Sequence, residues 1–201
     1  MTNYLHQRYE HNDEERLWLA WLYGNTYQLP TAWVLKNEFP DYELATVDRI
    51  TWWNSHNYKR LRYQVDTKWN KGHLPPMFES YKKSQREVLE SYYGDNEGQN
   101  FDNLWSNIKN NLFKFGRYST WFYLQHLKHT AGIHISPTSL MLSDYDGSRS
   151  HRNGLHYALG QDSEIDRKLD AARYADLESA AAELLQESKR RFPGLKDQID
   201  F

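Results

Sequence analysis

The spacing of the apolar side chains decides the fold class before any motif is considered. Phe101, Leu104, Trp105, Ile108, Leu112 and Phe115 recur at intervals of three and four, the period of one helical face. Tyr118 to Ala131 repeats the pattern with Trp121, Phe122, Leu124 and Leu127, and Gly132 follows as a C-cap. Gly116-Arg117 interrupts the two. No run of alternating β-branched residues is long enough to build a sheet. The chain is therefore expected to be all-α, a single compact domain over residues 1–201 with about eight helices.

The remaining elements follow the same logic. Asp13-Glu14-Glu15 suit a helix N-terminus and lead into Leu17, Trp18, Leu19, Trp21 and Leu22, with an end near Gly24. Pro30 or Thr31 starts a short helix, Ala32 to Phe39, which Pro40 stops. Thr46 and Asp48 cap a third helix carrying Ile50, Trp52 and Trp53. Met77 to Tyr93 reads as a helix, residues 94–99 as a loop, and Asn100 or Asp102 as the cap of the helix beyond. A long helix over Ile165 to Arg191 carries the stripe Leu169, Ala172, Leu177, Ala181, Leu184 and Leu185, and packs on the rest.

Composition narrows the class of protein. Mean hydropathy is −0.93, yet 15% of residues are aromatic, with 8 Trp and 15 Tyr. Disordered chains are poor in aromatics, so amphipathic rings must build the core and its clefts. Without cysteine there is no disulfide, thiolate nucleophile or zinc–sulfur site, which fits a reducing cytoplasm. No apolar run approaches a membrane span, and the N-terminus lacks a basic-then-apolar signal.

The net charge of −2 hides an uneven layout. Residues 1–48 hold three basic and eight acidic groups; residues 49–86 hold nine and two; residues 161–201 hold seven and ten. Within the basic part, residues 54–71 interleave cations with Tyr58, Tyr63 and Trp69. Cations neutralise phosphates and rings stack on exposed bases; a solvated helix face with rings as core anchors explains the same pattern.

Ser143 to Gly154 is the most chemically dense stretch, reading Ser-Asp-Tyr-Asp-Gly-Ser-Arg-Ser-His-Arg-Asn-Gly. Arg149 and Arg152, three apart, can share a helical face and clamp an anion. His151 titrates nearest neutrality. A polar turn capping the helix at Leu155–Leu159 is the plainer account. His126, His129 and His134 lack a His-Glu-x-x-His pattern or carboxylates at ligand spacing, so they read as surface or helix-end residues, and no metal or cofactor is expected. Phosphate-loop and dinucleotide glycine patterns are absent, and no strand–turn–helix context supports a nucleophilic serine.

Four stretches resemble the bacteriophage amino acid:DNA transferases, also described as α-glutamyl/putrescinyl thymidine pyrophosphorylase-like proteins. They are Trp21 to Trp33 (WLYGNTYQLPTAW), Asn57 to Pro75 (NYKRLRYQVDTKWNKGHLP), Phe115-Gly-Arg-Tyr118 and Leu140 to Gly154 (LMLSDYDGSRSHRNG). The resemblance runs over roughly residues 10–160. It implies a helical domain related to DNA glycosylases, acting in the cytoplasm of the infected bacterial host. The substrate it implies is DNA containing 5-hydroxymethyluracil that a separate kinase has phosphorylated. The phosphate or pyrophosphate is replaced by the amine of an amino acid or polyamine, giving a hypermodified thymine with a new C–N bond.

The residues are compatible with that chemistry. Leaving-group charge falls to Arg117, Arg149, Arg152 or Lys68, with Ser148 and Ser150 as further phosphate ligands. Asp144, Asp146, Asp66 or His151 takes the amine proton. Asn25, Thr26 and Asn153 orient a base edge or the amino acid, and Tyr63, Trp69 or Tyr145 stacks on a flipped base. Lys59, Arg60, Arg62 and Lys71 hold the DNA backbone. A non-catalytic DNA-binding module needs only residues 57–71, and a base-excising glycosylase or lyase would use a similar scaffold. A purely structural protein would have to bury 143–154 at high cost.

Overall fold

In the computed structural model the described residues are 13–41, 85–112, 115–142, 144 and 147–195. The expected helix near 46–53, the basic–aromatic segment 54–71 and the first half of the Met77–Tyr93 helix lie outside them. The described residues are helical, with no strand among them. They divide into two compact units, one ending at Ile135 and one beginning at Ser136.

The first unit is built around α1 (Asp13–Thr26). Leu17, Trp18, Leu19, Ala20, Trp21 and Leu22 are all buried. Six consecutive buried positions point in every direction from a helix, so α1 is surrounded rather than laid on a surface. It packs against α2 (Leu29–Glu38), α3 (Gln85–Glu90) and, most extensively, α5 (Arg117–Ala131), which also carries α4 (Glu97–Asn111). Pro30 sits in the first turn of α2, and the Phe39 amide closes its end on Leu35 before Pro40, as the sequence predicts.

Aromatic rings fill the spaces between these helices. Trp18 stacks on Trp21 at 5.2 Å, and its indole N–H donates to the Phe39 carbonyl at 2.8 Å. Phe101, Trp105 and Trp121 make a second cluster between α4 and α5, with centroids 5.7 to 6.0 Å apart. Charged groups clamp the periphery. Lys36, almost wholly buried, meets Glu15 at 2.7 Å. Arg86 forks onto both oxygens of Asp13, at 2.5 and 2.7 Å, and also donates to the Ala131 carbonyl.

In this unit two helix boundaries and the burial of one residue differ from expectation. α4 starts a turn early: Asn96 caps it by accepting from the Gln99 amide at 3.0 Å. Asn100 is instead a buried helical residue, accepting from Gly94 N–H and donating to the His134 carbonyl. Next, α3 stops at Glu90 and yields to a turn, short of Tyr93. Finally, Gly132 caps α5 in the left-handed conformation, φ 64°, as predicted, but His126 is buried rather than at the surface.

The second unit holds α6 (Arg149–Ala158) and α7 (Ala171–Arg191). α6 begins inside the polar stretch rather than at Leu155, so His151, Arg152 and Asn153 are helical. α7 begins at Ala171, capped by Asp170, and residues 165–170 are a linker. Leu142, Leu155, Leu169, Leu177 and Ala181 form its core. Ala172 and Leu184 of the expected stripe are exposed, and Tyr174 packs on the core instead. The Glu178 carboxylate accepts from the Leu140 and Leu142 amides at 2.9 and 2.7 Å, tying the irregular entry segment to α7. Among the described residues no helix is long and apolar enough to cross a membrane.

Gly24 sets the spacing of α1 and α5. A Cβ placed there would stand 2.7 Å from the Tyr123 Cβ and 3.1 Å from the Ser119 carbonyl. Neither atom is the end of a flexible side chain, so the helices would have to separate. Gly24→Ala is expected to destabilise the protein by about 1–3 kcal/mol, read as a melting temperature several degrees lower by circular dichroism.

Acid should attack the Asp13–Arg86 clamp. The Arg86 hydrogen bonds hold the Asp13 carboxyl below its usual range, against the opposing effect of burial. A depressed folded-state pKa means the contribution is present above the unfolded value, near 3.8, and is lost as pH falls through the folded one. Asp13→Asn should cost on the order of 1 kcal/mol at pH 7 and flatten the acid limb of a urea-midpoint-against-pH curve. An unchanged acid limb would remove this pair from the explanation.

Candidate functional site

Two polar constellations stand out, one in each unit. In the first, the last turn of α1 meets the first two turns of α5. Asn25 and Thr26 are buried, as are Arg117, Ser119 and Thr120. The Asn25 amide N–H donates back to the Trp21 carbonyl at 2.8 Å, while its Oδ1 is buried with no hydrogen-bond partner. Thr26 donates to the Gln28 carbonyl at 3.3 Å. Tyr27 adopts φ 56°, and its hydroxyl meets the Ser119 hydroxyl at 2.7 Å. That left-handed turn brings Tyr27 against Phe122.

Arg117, the first residue of α5, has its guanidinium over both Trp105 and Trp121, at 5.4 and 5.5 Å from their centroids. Two aromatic faces around one cation give a strong electrostatic anchor in a buried setting. The His126 ring lies 4.0 Å from Tyr23. Its Nε2 is buried without a hydrogen-bond partner. Burial, aided by nearby His129, pushes its imidazole down to about 4, so it is neutral near pH 7. Tyr23 and Tyr27 are raised by burial, Tyr27 partly restrained by Ser119.

The second constellation is the polar stretch itself. The Asp144 carbonyl accepts from the Ser148 amide at 2.7 Å, and its carboxylate accepts from Gly147 N–H at 3.3 Å. Ser148 is buried; its hydroxyl donates to the Leu142 carbonyl at 2.7 Å and accepts from Arg152 Nε at 3.0 Å. Arg152 is also buried and reaches the Arg167 carbonyl at 3.3 Å. Asp144, Ser148 and Arg152 therefore form one connected framework.

Arg149 faces elsewhere. It is exposed and forks onto Asp166 at 2.6 and 2.8 Å, and Asn153 donates to the same carboxylate at 2.7 Å. The Asp166 amide returns a bond to Asn153 at 3.1 Å. Arg149 first, then Asn153, hold the Asp166 carboxyl far below its usual range. The two arginines thus lie on different sides of α6, one interior and one exposed, and do not form a shared clamp. Ser150 is exposed and His151 half-buried.

Asp66, Asp146, Lys68, Tyr63, Trp69, Tyr145, Lys59, Arg60, Arg62 and Lys71 lie outside the described residues. Several polar residues enter that sequence pattern did not single out. Tyr27 and Ser119 lie inside or beside the family-like stretches, and only the left-handed turn brings them together. Asp166 and Glu178 sit in ordinary acidic surroundings in the sequence, with no local signal of their partners. No group of three or more His, Asp or Glu side chains able to hold a metal occurs among the described residues.

The described residues thus give a helical scaffold that buries amide, hydroxyl, imidazole and guanidinium groups. The family model for amino acid:DNA transferases matches residues 1–191, and the chain belongs to that family. It is similar to a serinyltransferase of Salmonella phage ViI, 28% identical over 162 residues. The match covers 74% of this chain and 38% of the relative, so the chain spans well under half of that protein's length. No solved structure matches it.

Ser148 is the keystone of the second constellation. Ser148→Ala should remove the acceptor of the buried Arg152 Nε and cost about 1–3 kcal/mol. The drop would be read from the urea unfolding midpoint. A neutral effect would mean that Arg152 finds another acceptor.

Proposed function

We propose that the chain is a transferase of phage DNA hypermodification. It replaces the phosphate or pyrophosphate on 5-hydroxymethyluracil in DNA, installed by a prior kinase, with the amine of a free amino acid or polyamine. The product is a thymine bearing a new C–N bond at its 5-methylene. The family match across residues 1–191 carries this reading. The name of the phage relative supports an amino acid donor and makes serine the first to try. The setting is the cytoplasm of the infected bacterial host.

In this reading the donor nitrogen attacks the methylene carbon. The bond from that carbon to the phosphate oxygen breaks, the phosphate leaves with the electron pair, and the surplus N–H proton passes to a base. Asp144 and His151 are the described candidates for the base, with Asp66 and Asp146 beside them. Arg149 is the exposed cation available to the leaving group, with a phosphate displacing Asp166 from its fork. Ser150 and Lys68 would add phosphate contacts. Arg152 and Ser148 would act by holding α6 in place. The unpartnered Oδ1 of Asn25 suits a base or amino acid N–H donor, with Thr26 beside it and Asn153 as a second amide. Arg117 would hold the α4–α5 aromatic wall. Tyr63, Trp69 or Tyr145 would stack on the flipped base, and Lys59, Arg60, Arg62 and Lys71 would hold the DNA backbone.

Incubation with kinase-treated 5-hydroxymethyluracil DNA and amino acids, followed by nucleoside mass spectrometry, tests the reading. A nucleoside heavier by one amine, dependent on prior phosphorylation, is expected. Arg149→Ala should lower the transfer rate by about 100-fold. DNA binding with no product would instead mark a binding module, and loss of the base a glycosylase.

A further inference from the structure

The second unit contains a cleft of about 440 Å³ between the end of α6, the 3-10 turn Asp162–Glu164 and the first turns of α7. Its size falls in the range of small-molecule sites. Neither proposed constellation uses it. Its walls combine one buried imidazole, an open guanidinium and an open carboxylate over an apolar base that includes Leu169 and Leu177.

His156 is the buried member, 3% exposed. Its Nδ1 lies 3.0 Å from Gln161 Oε1, so Nδ1–H donates and Nε2 is left as an acceptor. That Nε2 is buried and has no hydrogen-bond partner. A buried acceptor without a partner, on a residue that lines the cleft, is costly unless a ligand or water reaches it.

Arg173 and Asp176 stand one helical turn apart on α7 and both line the cleft. Arg173 commits one guanidinium nitrogen to Glu164, at 2.9 Å, and keeps its other donors. Glu164 is itself shared, because Arg167 bonds its second oxygen at 2.8 Å. The Asp176 carboxylate makes no hydrogen bond or ion pair with any described residue. Thus a cation with donors to spare and an open carboxylate lie side by side without pairing to each other.

We propose that this cleft binds the free α-amino acid donor as its zwitterion. Arg173 takes the α-carboxylate, Asp176 takes the α-ammonium, and His156 Nε2 accepts a hydrogen bond from an N–H or O–H of the ligand. The apolar base receives the side-chain carbons. A polyamine, with cations at both ends and no carboxylate, leaves Arg173 unsatisfied, so the site selects amino acids over polyamines. This inference rests on the transferase reading above for the role of its ligand, not for the binding itself.

The test is an NMR titration of the full chain with L-serine, with acetate and putrescine as single-sign probes, without and with duplex DNA. Serine should shift the His156 ring and the Gly160 and Arg173 amide signals. Arg173→Ala and Asp176→Asn should each weaken binding at least about tenfold, while acetate and putrescine bind more weakly than serine. Arg173 and Asp176 are exposed, so both variants should keep the wild-type circular dichroism spectrum. No shift of these signals under either condition, or variants that bind like wild type, would overturn the site.

The transfer assay separates the two readings. If wild type makes product and the KM for serine is unchanged in both variants, the cleft is not the donor site and the transferase reading stands. If binding is seen and lost in the variants while wild type makes no product, the site stands and the transferase reading fails.

Discussion

The larger unit depends on one constraint, the burial of the middle of α1 on every side. A helix with six consecutive buried residues needs partners on all sides, and α2, α3 and α5 supply them. The closest approach is at Gly24, where only a hydrogen atom separates the α1 backbone from Tyr123 and Ser119. Directly after that contact the chain must leave the helix. Asn25 and Thr26 end it while buried and Tyr27 leaves it half-buried, so the Asn25 and Thr26 side chains cannot turn to water. The Tyr27–Ser119 contact and the Asn25 amide bond follow from that necessity. The unit's candidate polar site is thus a by-product of its tightest packing.

In the smaller unit the organising interaction is polar. A short irregular segment precedes α6, and its backbone amides pair within no helix or strand. Glu178 accepts two of them from α7, and Ser148 donates to a carbonyl in the same segment. These bonds fix where α6 starts, and therefore which side of it faces inward. Arg152 lies on the interior side and becomes framework; Arg149 lies on the exterior and meets Asp166. Two arginines three residues apart end in opposite roles.

The helical class, both ends of α1 and both ends of α5 were legible because apolar periodicity is a local signal. Gly132 as a C-cap and Pro40 as a stop follow from backbone sterics alone. The start of α4 was not legible at Asn100, because Asn96 and Asn100 are chemically identical caps. Only the packing of Asn100 against Gly94 and His134 chooses between them. Of the C-terminal stripe, Leu169, Leu177 and Ala181 are buried as expected, while Ala172 and Leu184 are exposed. A helix of mostly Ala, Leu and Glu offers several near-equivalent faces, and the partner supplied by α6 selected the one with Tyr174, Leu177 and Ala181. His126 looked like a surface residue because nothing in its neighbourhood marks burial. Its environment is made by Tyr23, about a hundred residues away in sequence.

By itself the sequence determined the helical class, the caps set by glycine and proline, and the stretches that carry the family likeness. These depend on steric and periodic rules that act within a few residues. Tertiary structure alone decided which polar groups became framework and which were left with capacity for a ligand. Arg152 and Ser148 bond each other and Glu178 takes the Leu140 and Leu142 amides, whereas His156, Arg173 and Asp176 keep hydrogen-bond capacity around one cleft. Hydrogen-bond capacity is a property of each residue type, but its satisfaction is a property of the fold, because partners come from distant segments.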